Sequence, residues 1–308
     1  MTKRVALVLG SGGARGYAHV GVIRELEARG YEITAIAGAS MGSLVGGLWA
    51  TGKLDEYCQW AETIDSFEII RLLDISLGRP GVIKGDRLFE RMREIIGDCR
   101  IEDLPVPYTA VATSLTTRKE VWFQRGDLVT AIRASSAIPS LFSPVEMHGQ
   151  VLVDGGVLNP LPMAPAGSAL ADMVVAVDLL GAPFQKSQAM EPEEKGNKSI
   201  FDGLIDKLMG GSESKKSQDE LSASMSLMEV SNQSMEVMQE SLSRYKTAGY
   251  HPDVLVNVPR NICQFYEFHR FNEIAAIGRQ LAIDALDQWE SRHQGEPALL
   301  LEAEPLSS

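Results

Sequence analysis

Ser40 is the residue in this chain best placed to do chemistry. It is the centre of Gly38-Ala39-Ser40-Met41-Gly42, between the apolar run Ile33-Thr34-Ala35-Ile36-Ala37 and the apolar stretch Leu44 to Ala50. A strand that turns sharply into a helix lifts a serine hydroxyl onto a strained elbow and aims the helix N-terminus at it. Gly38 and Gly42 let the backbone turn tightly and pack close to its neighbours. The competing reading is an ordinary tight turn in which the serine only caps the helix.

A second feature lies just upstream. Arg4-Val5-Ala6-Leu7-Val8-Leu9 breaks into Gly10-Ser11-Gly12-Gly13-Ala14-Arg15-Gly16, and a helix follows from about Tyr17 to Arg29, with Val20, Ile23 and Leu26 on one face. Successive unpaired N–H groups make a glycine-rich loop at a helix start an anion cradle, and an oxyanion is an anion. A dinucleotide fingerprint fits poorly, because Arg15 occupies the place of its third glycine. The second strand also ends in Gly38-Ala39-Ser40 rather than in an acid for a ribose. An α/β-hydrolase is excluded too, since only one strand-and-helix unit precedes Ser40 and that fold needs several.

A serine nucleophile needs a base. His19, His148, His251, His269 and His293 all lie in helical or turn contexts with no triad-like neighbour. Asp154 is better placed. It follows the strand Gln150-Val151-Leu152-Val153 and precedes Gly155-Gly156 and the Pro-braced Asn159-Pro160-Leu161-Pro162. An acid at a strand end, held by a rigid loop, is an aimed carboxylate; the plainer alternative is a turn-forming aspartate.

These three motifs, in this order and rough spacing, resemble the patatin-like phospholipases. The likeness is greater to bacterial members that resemble the catalytic domain of neuropathy target esterase. It extends through Ile132-Arg133-Ala134-Ser135-Ser136-Ala137-Ile138-Pro139 and covers roughly Arg4 to Asp178, with looser similarity to about Gln288. The resemblance implies a three-layer fold and a Ser–Asp dyad without histidine. Ser40 would be the nucleophile and Asp154 the base, and the N–H groups of Gly12, Gly13 and Ala14 would form the oxyanion hole. Gly10, Arg15, Gly16, Gly38, Gly42, Gly155 and Gly156 complete the motifs. Ser11 and Gly10 stand where plant members carry glycine and aspartate, so plant substrate preferences do not transfer. Implied is hydrolysis of an acyl ester, a lysophospholipid or phospholipid, through an acyl-Ser40 intermediate, with no metal or other cofactor. A regulatory or scaffold protein that kept the fold and used its cleft to bind a partner is the alternative; the presence of both Ser40 and Asp154 favours the enzyme.

The elements that must position these residues alternate between strand and helix as far as about Leu180. Candidate helices are Leu54–Phe67, Asp86–Ile96, Asp127–Ala137 and Pro162–Ala171; candidate strands are Tyr108–Ser114, Glu120–Phe123 and Met173–Asp178. With one hairpin, that order predicts an α/β fold with a mostly parallel sheet covered on both sides. One hydrolase domain is expected over 1–290, interrupted by a Ser-, Lys- and Glu-rich excursion at 182–220 and followed by a frayed tail at 291–308. Ile200 to Met209 within the excursion reads as a short amphipathic helix; docking on the body of the protein is the expectation, a lid or interfacial anchor over the active site the alternative. A later helix from about Leu221 to Lys246 carries Met225, Met228, Met235, Met238, Leu242 and Tyr245 on one side. Core packing is the expectation for that side, an acyl-chain groove the alternative.

Composition is consistent. The chain has 308 residues, 44% of them hydrophobic, enough for one large core. The apolar run after Lys3 and Arg4 is too short for a signal peptide. Three scattered cysteines, Cys58, Cys99 and Cys263, predict reduced thiols in a cytoplasmic protein rather than a zinc site. A net charge of −12 argues against nucleic acid and against simple electrostatic attachment to anionic lipid. Transient contact with the inner face of a membrane is still compatible with a lipid substrate.

Overall fold

The structure is a computed structural model and describes residues 3–64, 85–139, 141–167, 170–184 and 227–293. Strand β1 (Arg4–Leu9) passes through a 3-10 turn (Gly13–Tyr17) into α1 (Ala18–Ala28), and β2 (Glu32–Ala39) turns into α2 (Met41–Ala50) and α3 (Leu54–Thr63). Next come α4 (Asp86–Ile96), β3 (Tyr108–Ser114), β4 (Lys119–Phe123) and α5 (Leu128–Ser135). They are followed by β5 (Val145–Met147), β6 (Gln150–Asp154), α6 (Met163–Ala166) and β7 (Met173–Gly181). Helix α7 (Leu227–Gly249), β8 (Val254–Pro259) and α8 (Phe271–His293) complete the described chain.

The eight strands form one sheet in the order β5-β6-β3-β2-β1-β7-β8, with β4 also on β3. β1, β2, β3, β7 and β8 are mutually parallel. The antiparallel pairs are confined to one end: two hairpins rather than the one expected, β3–β4 and β5–β6, and the pair β3–β6. Strands buried on both faces read as almost unbroken apolar runs, and β1 is such a run. On one face Val5, Leu7 and Leu9 pack with Val20, Ile23 and Leu26 of α1, Leu44 and Leu48 of α2, and Ile274 and Leu286 of α8. Each such leucine or isoleucine contributes roughly 1.5–3 kcal/mol on burial. The other face is lined by small residues, Ala6, Ala35, Ala37 and Ala176, against Leu161, Met163 and Ala166. Helices therefore flank a central sheet, as expected.

The helix expected at Pro162–Ala171 is one turn only, Met163–Ala166, ended by Gly167, whose helix cost is about 1 kcal/mol relative to alanine. The C-terminal helix runs to His293, so it occupies the first residues assigned to the tail. Residues 185–226, which include Ile200 to Met209, Met225 and the start predicted for the methionine-rich helix, lie outside the described residues. So do 65–84 and 294–308. No helix among the described residues is long and apolar enough to cross a membrane.

One packing contact sets the elbow. A Cβ at Gly42 would stand 2.0 Å from the Leu9 carbonyl oxygen and 2.8 Å from that of Gly10, both backbone atoms that cannot step aside. Gly42→Ala is therefore expected to destabilise the fold by about 3 kcal/mol or more, read as a drop in the thermal unfolding midpoint. A midpoint like that of the parent would show that α2 can move off β1.

Candidate active site

The chain leaves β2 at Ala39 and enters α2 at Met41, so Ser40 must make the whole turn. It does so at φ 53° and ψ −124°, a conformation that L residues rarely adopt. Its amide donates to Ser135 Oγ at 3.0 Å, and Ser135 Oγ donates to the Val111 carbonyl at 2.6 Å. Ser43 Oγ and the Ser43 and Leu44 amides converge on the Ser40 carbonyl. The backbone is thus held from both sides, while the Ser40 side chain makes no capping hydrogen bond. That removes the capping-serine reading.

The sheet explains why Asp154 arrives here. β4 covers one side of β3, and the other side is shared end to end by β2 and β6. Ala39 pairs with Val111, and Asp154 pairs with the next residue, Ala112. β2 and β6 therefore meet head-on at their C-terminal ends, bringing together two residues 114 positions apart in sequence. Gly155 is required at the junction, because a Cβ there would stand 2.0 Å from the Val111 carbonyl oxygen.

Asp154 is buried, and its two oxygens differ. Oδ1 accepts from the Gly156 amide at 2.7 Å, which is the turn-forming role. Oδ2 is buried and completes no hydrogen bond of ordinary geometry. Burial raises the carboxyl to a pKa of about 6, against the opposing pull of the nearby Ser40 hydroxyl, the Gly156 amide and the Ser11 hydroxyl. The position that a Cβ of Gly156 would occupy lies 2.6 Å from Ser11 Oγ, 2.8 Å from Gln239 Nε2 of α7 and 3.0 Å from Asp154 Oδ1. Only a glycine leaves room for these three polar groups to converge.

The glycine-rich loop beside them is fixed by its carbonyls and amides in turn. The Gly10 and Ser11 amides donate to Val177 O and Pro160 O. His19 Nε2 lies 2.8 Å from the Gly10 carbonyl, and burial lowers this imidazole to a pKa of about 4, so it is neutral and donates from Nε2. It is a brace for the loop. None of the five histidines hydrogen-bonds Ser40. The buried Arg15 side chain donates from Nε to the Gly12 carbonyl at 3.1 Å. In a trans peptide the C=O and the following N–H point in opposite directions, so this contact turns the Gly13 amide away from Arg15. The implied donor set needs one correction. The Ala14 amide donates to Phe265 O at 2.8 Å and is spent, whereas the Gly12 and Gly13 amides have no acceptor among the described residues.

Three contributors had little signal in the sequence. Ser135 sits in an ordinary helix end, Gln239 lies in α7 far along the chain, and Glu236 of α7 pairs with Arg15 at 3.0 Å. Among the described residues no group of three or more His, Cys, Asp or Glu could hold a metal ion.

A serine on a strained strand-to-helix elbow, beside a buried acid and free backbone amides, defines a candidate serine hydrolase site on an α/β sheet. The family model and the sequence relatives agree with that class. The profile of the family described as patatin-like phospholipase matches residues 7–166, which spans the glycine-rich loop, the elbow and Asp154. An uncharacterised NTE family protein of Mycobacterium tuberculosis is 40% identical, covering 94% of this chain and 93% of its own. Human patatin-like phospholipase domain-containing protein 6 is 32% identical over 182 residues, which is 57% of this chain and 13% of that protein. Among solved structures, VipD from Legionella pneumophila matches with a TM-score of 0.42 and 16% identity, over 93% of this chain and 67% of that one. The chain belongs to the patatin-like phospholipase family, and it is a lipid hydrolase of that class.

Proposed function

We propose that the chain is a serine acyl hydrolase that cleaves carboxylic esters of phospholipids or lysophospholipids through a Ser40–Asp154 dyad. The observation that carries this is a buried, unpaired Asp154 Oδ2 beside a Ser40 hydroxyl with no capping role. Asp154 takes the hydroxyl proton as Ser40 Oγ attacks the ester carbonyl. The Gly12 and Gly13 amides stabilise the oxyanion, each worth about 2.7–4 kcal/mol in comparable sites. The alcohol leaves with the proton, acyl-Ser40 remains, and water attacks it with Asp154 again as base. A carboxyl with a pKa of about 6 is a far better base near neutrality than a free aspartate at about 3.9. A fluorophosphonate probe should label the wild type at Ser40 and leave Ser40→Ala unlabelled. Equal labelling of both would overturn the assignment.

Ser11 has a secondary role in this mechanism. Its hydroxyl draws the Asp154 pKa down, so the base is ionised over more of the physiological range. Ser11→Ala is expected to shift the acid limb of kcat/KM toward higher pH, with a loss of a few-fold near pH 6 and rates approaching wild type by about pH 9. A uniform loss at every pH would assign Ser11 to packing alone.

A further inference from the structure

Helix α7 has its polarity reversed. Its inward side is predominantly polar and tied to the body: Glu236 to Arg15, Glu240 to Arg260, Ser243 to Asp178 and Lys246 to Glu120, at 2.6–3.0 Å. Its outward side carries Val230, Val237, Met238 and Tyr245, and Tyr250 follows just past its end. Val237 is 62% and Tyr245 77% exposed. The spacing of seven or eight residues, about two turns, puts Val230, Val237, Met238 and Tyr245 on one side of the helix. Of the eight large hydrophobic side chains exposed among the described residues, these and Tyr250 are five. A sixth, Trp122, is bound through its indole N–H to Glu120, the same carboxylate that holds Lys246. Exposed apolar side chains concentrated on one side of a helix, here with only Ser234 and Ser241 between them, mark an interaction surface.

We propose that this stripe docks on a neutral or zwitterionic lipid surface, an inference that rests on the lipid-hydrolase reading of the site. Three observations select that occupant. Five such side chains offer on the order of 500 Å², short of the ~800 Å² per partner of a stable protein interface. Tyrosine and tryptophan with valine and methionine form the mix that settles at a lipid–water boundary. A net charge of −12 opposes an anionic surface and leaves an uncharged or zwitterionic one. The placement is functional as well. Gln239, on the inner side of the same helix, stands beside Gly156 and Asp154, so the docked surface lies about one helix diameter, ~10 Å, from the site. Glu236 of that helix also holds Arg15, which orients the Gly13 amide.

The test uses the full chain, phosphatidylcholine vesicles and a water-soluble p-nitrophenyl ester. Wild type should float with the vesicles. Val237→Ser/Met238→Ser/Tyr245→Ser should lose at least about ten-fold in vesicle partition and vesicle hydrolysis, while turnover of the soluble ester stays within about two-fold and the unfolding midpoint is kept. Ser40→Ala protein should still float, so docking is read independently of catalysis; loss of the hydrolase reading alone would leave its flotation intact. Failure of wild type to float overturns the proposal, as does flotation of the triple variant equal to wild type. A wild-type dimer that the triple variant breaks would assign the face to a second copy of the chain instead, and a stripe in wild type that resists oxidation of Met238 would assign it to residues 185–226.

Discussion

Replacing Ser40 with alanine is expected to lower kcat/KM on a p-nitrophenyl ester by about four to six orders of magnitude, to near the uncatalysed rate. The size of the effect follows from what the residue does in the proposed mechanism. It is the only atom source for the acyl intermediate, and the backbone amides alone cannot form that bond. The effect on folding should be small, with an unfolding midpoint within a few degrees of the parent. Apart from its approach to Asp154, Ser40 Oγ makes no hydrogen bond among the described residues that alanine would lose, and the contacts that hold the turn are made by its amide and carbonyl. Those contacts survive the substitution. The strain at φ 53° also survives, because alanine pays the same steric cost there as serine. The informative comparison is His19→Ala. That change leaves the Gly10 carbonyl without its donor and a cavity under the loop, so it should lower stability by roughly 2 kcal/mol while the folded fraction keeps measurable turnover. A folded His19 variant as inactive as Ser40→Ala, or a Ser40 variant with substantial turnover, would overturn the dyad.

The parts of this site that were legible in the sequence are those specified by local backbone geometry. Glycines at 38 and 42 around a serine between two apolar runs announce an elbow, because a tight approach of backbone to backbone admits nothing larger. The same logic exposed Gly155 and Gly156. The helix Asp86–Ile96 has the bounds expected of it, with Gly85 before it, Gly97 after it and Phe89, Met92 and Ile96 buried along it. What could not be read were contacts made only by the tertiary fold. Ser135 reaches Ser40 because α5 returns beneath β3, and no local pattern records that. The family resemblance implies an Ala14 amide in the oxyanion hole, but the carbonyl of Phe265, some 250 residues later in the chain, accepts it. The methionine-rich helix failed for a different reason. Apolar periodicity normally points toward a core, and that was the expectation for Met238 and Tyr245; in α7 both are exposed, while Met235 and Leu242 are half-buried. The polar partners that reverse the helix, Arg15, Glu120 and Asp178, lie 65 to 221 residues away.

Asp154→Asn is expected to lose activity almost as completely as Ser40→Ala, and the double variant to lose little more, because two residues acting as one unit are not additive. Stability should move the other way. The Asp154 carboxyl has a pKa of about 6 in the fold, above the ~3.9 of an unfolded chain. The native state therefore binds this proton more tightly than the unfolded state. The contribution of the group to stability is fully present below about pH 4, falls as pH rises toward 6, and stays low above it. Asparagine has no charge to desolvate at any pH. It can still accept the Gly156 amide through its carbonyl oxygen and offer its NH2 to the hydroxyls of Ser40 and Ser11. Relative to wild type, the variant should gain stability as pH rises through this window, by on the order of 1–3 kcal/mol at about pH 8. The measurement is a pair of denaturation curves at acid and alkaline pH beside kcat/KM for each protein. An Asn variant that is dead yet more stable at high pH is the signature of a buried base held charged for catalysis. A variant equally destabilised at both pH values would mark Asp154 as a turn former, and one that keeps its turnover would remove it from the mechanism.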